Sequence, residues 1–159
     1  MGSQSSLQKA YIAGFLDGDG SIMFQVKKRG DTLRGTRFMA TICFYQDTRH
    51  EKPLLWIRQV LGVGYISRRN DSITELRING FSTVRKILLE LAPFIRFKRI
   101  QVKALIKACA IAEKKSLKGL SNKQLLELVE LILIIQNENY VARRKKTKEE
   151  LIQLLGLTP

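Results

Sequence analysis

At 159 residues and 45% apolar content, the chain can bury a sizeable core, most simply as one domain. Its 28 Lys and Arg against 14 Asp and Glu give a net charge of +14 and a pI near 10.1. That balance disfavours a neutral small-molecule partner and points to nucleic acid, with an anionic membrane surface as the alternative.

Met1 to Ser6 is small and polar and reads as a loose arm or cloning remnant, with a single domain expected over 7–159. A first helix is predicted from about Ser6 to Asp17, capped by Ser5 or Ser6. A period-two segment follows, with Ile22, Phe24 and Val26 on one face and Ser21, Met23, Gln25, Lys27 and Arg29 on the other. The stretch Gly30 to Gly35 turns the chain back into a second strand. There Phe38, Ala40, Ile42 and Phe44 alternate with Arg37, Met39, Thr41, Cys43 and Tyr45.

A short helix is expected after Pro53, from Leu54 to Leu61, ending at Gly62. A second hairpin joins Tyr65 to Arg69 and Ile73 to Asn79 across Asn70-Asp71. It turns Ile66, Thr74, Leu76 and Ile78 inward and Tyr65, Ser67, Arg69, Glu75 and Arg77 outward. Helices are predicted over Ser82 to Leu91, Lys98 to Lys115, Asn122 to Asn137 and Thr147 to Leu155. The most apolar run, Leu125 to Ile135, contains Glu127 and Glu130, so it reads as an amphipathic helix and not a membrane span. Cys43 and Cys109 are far apart in sequence and read as buried free thiols, and a lone His50 argues against a His-rich metal site.

The fold class that follows is α+β, in the order αββαββα, with an antiparallel four-stranded sheet and a helical tail. An antiparallel sheet can leave one face solvated. Here that face mixes Arg, Lys and Gln with Glu75, Thr41 and Ser67, and because the faces are phased across both hairpins it reads as a surface for base edges in the DNA major groove and not as a plain wet surface. The run Arg143-Arg144-Lys145-Lys146 suits phosphates, adding affinity but not specificity. The Gly62-Val63-Gly64 turn is not a nucleotide loop, because no glycine-rich helix start follows it.

Asp17 and Asp19 close the first helix with Gly18 between them. In a basic chain, carboxylates at a helix end suit a metal ion that bridges to phosphate. A calcium loop competes for the pattern Asp-Gly-Asp-Gly, but its later ligands and closing Glu are missing. Ala13 and Gly14, with Gly18 one turn on, form a stripe of small residues that admits a close second helix or simply the protein's own core.

The stretch Ile12-Ala13-Gly14-Phe15-Leu16-Asp17-Gly18-Asp19-Gly20 closely resembles the signature of the LAGLIDADG homing endonucleases, with Ile12 for the usual leucine. Gly62-Val63-Gly64-Tyr65 and Pro93-Phe94-Ile95-Arg96-Phe97-Lys98 are similar to the single-motif branch encoded in organellar group I introns. The resemblance implies a saddle-shaped sheet and a homodimer packed through Ala13, Gly14 and Gly18, since one motif supplies half of an active site. It implies magnesium, with manganese or calcium able to substitute in binding, held by Asp19 and the Gly18 carbonyl. It further implies that Gln46 orients water, that Lys98 lies near the scissile phosphate and that Asp17 caps or buttresses the turn.

The implied activity is site-specific, staggered cleavage of a long, near-palindromic double-stranded DNA by an intracellular, chloroplast or mitochondrial enzyme, with no membrane and no small-molecule substrate. An RNA maturase that assists intron splicing and a non-cleaving DNA-binding regulator are the alternatives. His50 stands where relatives often carry a basic residue, which leaves its part in a water network open.

Overall fold

The computed structural model of the chain describes residues 5–28, 35–114, 117–139 and 144–157. Helix α1 (Ser6–Asp19) starts in a capping box, in which Ser5 Oγ accepts the Gln8 amide at 3.2 Å and Gln8 Oε1 accepts the Ser5 amide at 3.1 Å. It runs without a loop into β1 (Gly20–Lys28). Only glycine permits that exit, because a Cβ at position 20 would lie 2.6 Å from Leu16 Cδ1 and 2.9 Å from Leu16 Cα. The Gly20→Ala protein should therefore lose about 2 kcal/mol of stability through backbone overpacking. An unchanged urea midpoint would show instead that the helix end relaxes freely.

β2 (Thr36–Asp47) returns antiparallel to β1, and after a short 3-10 turn at Thr48–His50 comes α2 (Lys52–Leu61). Gly62 ends α2 in the left-handed conformation, φ 71°, and donates its amide to the Arg58 carbonyl. β3 (Tyr65–Arg68) and β4 (Ile73–Asn79) form the second hairpin, giving a four-stranded antiparallel sheet in the order β1-β2-β4-β3. Helices α3 (Phe81–Leu91), α4 (Arg99–Ala112), α5 (Asn122–Glu138) and α6 (Lys148–Leu154) complete the described chain.

The expected αββαββα order and its helical tail are present. α4 is shorter at both ends than the predicted Lys98 to Lys115, because Lys98 stands outside it as the capping position.

The register aligns the apolar face across the sheet. Ile22 lies opposite Ile42, Phe24 opposite Ala40 and Val26 opposite Phe38, and Ile42 and Phe44 face Ile78 and Leu76. Phe24 stacks on Phe38 with ring centroids 5.4 Å apart. Against this face pack Ile12, Ala13 and Leu16 of α1 together with the apolar sides of α3 and α4. One buried cluster runs from Ile12 to Leu151. Cys43 and Cys109 are both buried free thiols. No helix of the described residues is long and apolar enough to cross a membrane.

Candidate functional site

The last turn of α1, the first residue of β1, the end of β2 and the entry to α4 meet at one corner of the sheet. Two residues along a helix turn about 200° around its axis, and Asp17 and Asp19 accordingly have opposite fates. Asp17 is 7% exposed and points into the protein. Its Oδ2 accepts the backbone amides of Arg96 and Phe97 at 2.5 and 3.1 Å, and its Oδ1 accepts that of Lys98 at 2.9 Å. It therefore caps the entry to α4, not the turn it sits in.

Asp19 is the exposed last residue of α1, which runs two residues beyond the predicted end at Asp17. A carboxylate there faces the negative end of the helix dipole, so a cation is the natural complement. The Gly18 carbonyl, among the last four of the helix, is one that α1 itself leaves without a partner. Oxygen donors of this kind suit a hard divalent cation. Among the described residues no group of three or more His, Cys, Asp or Glu could hold a metal ion.

Lys98 sits at the same corner, partly buried, with its Nζ donating to the Asp17 main-chain carbonyl. Burial pushes the Lys98 ammonium below the ordinary lysine range, and the charges of Asp17 and Asp19 act in the other direction. Gly20 pairs with Phe44, so Gln46 lies two residues beyond that pair, at the same end of the sheet. Its Oε1 accepts the neighbouring Asp47 amide at 2.9 Å. His50 is exposed at the end of the 3-10 turn. Beside it Arg49 ion-pairs with Asp47 at 2.9 Å and holds that carboxyl down at about 2.

The polar sheet face is phased as the alternation predicts. Met23 pairs with Thr41, Gln25 with Met39 and Lys27 with Arg37, while Tyr65 and Cys43 both flank Arg77 and Ser67 flanks Glu75. Lys27, Arg37, Tyr65 and Arg69 are exposed, and Met23, Gln25, Met39, Ser67 and Arg77 are half-buried.

Three expected surface readers are not at the surface. Thr41 and Cys43 have no exposed area, because both are short side chains on central strands overshadowed by longer neighbours. Thr41 Oγ1 donates to Asn79 Oδ1 at 2.7 Å, and burial pushes the Cys43 thiol up. Glu75, 5% exposed, is held between two arginines, Arg69 Nη1 at 3.0 Å and Arg77 Nε at 2.7 Å. Burial acts to raise its carboxyl, but the hydrogen bonds and charges of Arg77 and Arg69 prevail and hold it below the ordinary range. Glu75 is a support for arginines and not itself a reader.

Arg29 and Arg143 lie outside the described residues. Arg144, Lys145 and Lys146 are exposed, and the run is tied to α5 by paired bonds between Lys146 backbone and the Gln136 amide at 3.0 and 3.2 Å.

The expected small-residue stripe divides in two. Gly14 and Gly18 are exposed, and a Cβ on either would meet nothing within 4 Å. Ala13, by contrast, is fully buried in the chain's own core, so it presents no surface to a partner. The exposed stripe is Leu7, Tyr11, Gly14 and Gly18, at i, i+4, i+7 and i+11, with Leu7 84% exposed and Phe97 of the α4 entry 85% exposed. Leu7 and Phe97 are the most open large apolar side chains among the described residues.

Sequence reasoning missed Asn79 on the polar face, although its parity with Arg77 could have revealed it. It also missed the forked ion pair of Arg68 with Glu51, at 2.6 Å for the closest contact. Those partners are 17 residues apart and carry no local signal.

The family model for LAGLIDADG endonuclease matches residues 12–109. DNA endonuclease I-CvuI of Chlorella vulgaris is 33% identical over 100 residues, 63% of this chain and 62% of the relative. DNA endonuclease I-CreI of Chlamydomonas reinhardtii is 30% identical over 97 residues, 61% of this chain and 59% of the relative. The chain spans about three fifths of the length of these curated relatives.

The crystal structure of I-CvuI with the I-CreI target, in the presence of Mg and with the DNA not cleaved, superposes with a TM-score of 0.83 at 26% identity, over 96% of this chain and 97% of that one. I-CvuI with its own target in the presence of Ca superposes equally well, with the same score, identity and coverage. The archaeal intron-encoded I-Vdi141I complexed with DNA shares the fold, with a TM-score of 0.79 at 20% identity over 94% of this chain and 95% of that one.

Proposed function

Because this chain belongs to the LAGLIDADG endonuclease family, we propose that it is a homodimeric, divalent-metal-dependent homing endonuclease that cuts both strands of a long, near-palindromic DNA site. The observation that carries the proposal is the exposed stripe Leu7, Tyr11, Gly14 and Gly18 leading directly to the exposed Asp19 carboxylate. A second copy apposed along that stripe brings its own Asp19 to the same place. An isologous dimer of this kind matches a two-fold symmetric site.

Asp19 and the Gly18 carbonyl are the donors that would hold magnesium, and calcium or manganese would bind the same oxygens. The ion supplies charge neutralisation at phosphate and acidity to a water molecule. Lys98, held by the Asp17 carbonyl, presents a positive charge to the phosphate on which negative charge develops. Gln46 orients the attacking water from the end of β2.

The half-open sheet face inserts Gln25, Lys27, Arg37, Tyr65, Arg69 and Arg77 into the major groove, with Met23, Met39 and Ser67 between them. Thr41, Cys43 and Glu75 stiffen it from beneath. Arg144, Lys145 and Lys146 follow the phosphate backbone, and the setting is an organellar group I intron.

The test is incubation of the protein with a randomised double-stranded DNA library, with and without magnesium. Recovery of one two-fold symmetric family of cleaved sequences, only with magnesium, is the expected result. Selective retention of uncut DNA in both arms would indicate a regulator. Binding confined to folded intron RNA would indicate a maturase.

A further inference from the structure

We infer that Asp17 is the positioning residue of Lys98, an inference that rests on the endonuclease reading above. The segment Ile95 to Lys98 lies between a 3-10 turn (Ala92–Phe94) and α4 with no helix or strand of its own. Its backbone donors must nevertheless be satisfied. Three successive ones, at Arg96, Phe97 and Lys98, all go to the Asp17 carboxylate from about 80 residues away. Bonds to an acidic acceptor are the short, strong kind. They set the backbone of Lys98 at φ −91°, ψ 27°, one residue before α4 begins.

The side chain of Lys98 then folds back and donates Nζ to the main-chain oxygen of the same Asp17. One residue therefore holds Lys98 at both ends, by its amide and by its ammonium. Because Asp17 also precedes Asp19 by two positions on the same helix turn, it sets the lysine's place relative to the metal-facing carboxylate. Asp17 need not touch DNA to do so, because its carboxylate is buried against the Arg96, Phe97 and Lys98 amides.

The experiment is a double-mutant cycle of Asp17→Asn and Lys98→Ala on the library-selected target. It reads the single-turnover cleavage rate, DNA affinity without divalent ions, and hydrogen exchange at the Arg96, Phe97 and Lys98 amides. Displacement of a charged group by about 1 Å costs about a hundredfold in rate. Asp17→Asn should therefore cleave between about tenfold and a hundredfold more slowly, with affinity within about twofold of wild type and faster exchange at those amides. In the Lys98→Ala background the same change should cost nothing further, since the residue it positions is gone.

Equal penalties in both backgrounds would overturn the inference, as would loss of affinity in proportion to rate or unchanged exchange. Should Asp17→Asn fail to fold, Asp17→Ser, which keeps a capping oxygen, takes its place. Failure of both to fold would make Asp17 a folding residue and end the inference. A wild-type protein that cuts no library member would refute the endonuclease reading itself. A cutting wild type with additive penalties would refute the positioning role alone.

Discussion

The Asp19→Asn protein is expected to lose DNA cleavage by about a thousandfold or more while keeping its fold and its affinity for DNA. The side chain is exposed at the end of α1 and differs from Asn by charge and not by size. Its removal therefore leaves the packing of Ile12, Leu16 and Ile22 untouched. Taking a negative charge from a surface that faces phosphates should, if anything, tighten binding at low salt without divalent ions. Calcium binding, followed by titration in the presence of target DNA, should fall with it. An Asp19→Asn protein that fails to bind DNA would assign the residue to the fold. One that cuts normally would remove it from the metal site.

Introducing a charge on the exposed stripe should have a comparable effect by another route. In Gly14→Glu the new Cβ meets nothing within 4 Å inside the protomer, on the exposed side of α1. Replacing a mid-helix glycine moreover favours the isolated helix by a fraction of 1 kcal/mol, up to about 1 kcal/mol. The protomer should keep its helical circular dichroism.

Across a two-fold axis, however, two glutamates would be forced together where two bare helix backbones are expected to touch. A penalty of about 4 kcal/mol, or a roughly thousandfold weaker dimer, is the scale of an interface hot spot. Sedimentation at micromolar concentration should show monomers, and double-strand cleavage should disappear with the dimer. A Gly14→Glu protein that remains an active dimer would place the interface elsewhere. Ala13 offers no such experiment, because a larger side chain there would disrupt the protomer before any dimer.

Much of this molecule is legible along the chain because the relevant forces are local. The alternation Ile22-Phe24-Val26 against Phe38-Ala40-Ile42-Phe44 assigns faces, since strand side chains have a period of two, and the observed register preserves it. Helix starts at Ser5, Ser121 and Thr147 are written as capping boxes, and Gly62 marks the end of α2. The acidic end of α1 and the nearby lysine motif point to the corner residues through family resemblance.

What local pattern does not determine is which of two neighbouring side chains the rest of the protein covers. Ala13 and Gly14 are adjacent and both small, yet a turn of about 100° buries the first and exposes the second. Thr41 and Cys43 have outward parity but sit on central strands, where shadowing by Arg77, Tyr65 and Asn79 is a property of the sheet and not of β2 alone.

The elements, the faces of the strands and the carboxylate at the end of α1 are written in the order of residues, because periodicity, capping and glycine stereochemistry act over a few residues. That Asp17 binds the entry to α4 while Asp19 is exposed, and that Glu75 serves two arginines, follows from how the elements pack. Those outcomes depend on donors brought from 80 residues away or from a neighbouring strand, and no local spacing encodes such contacts.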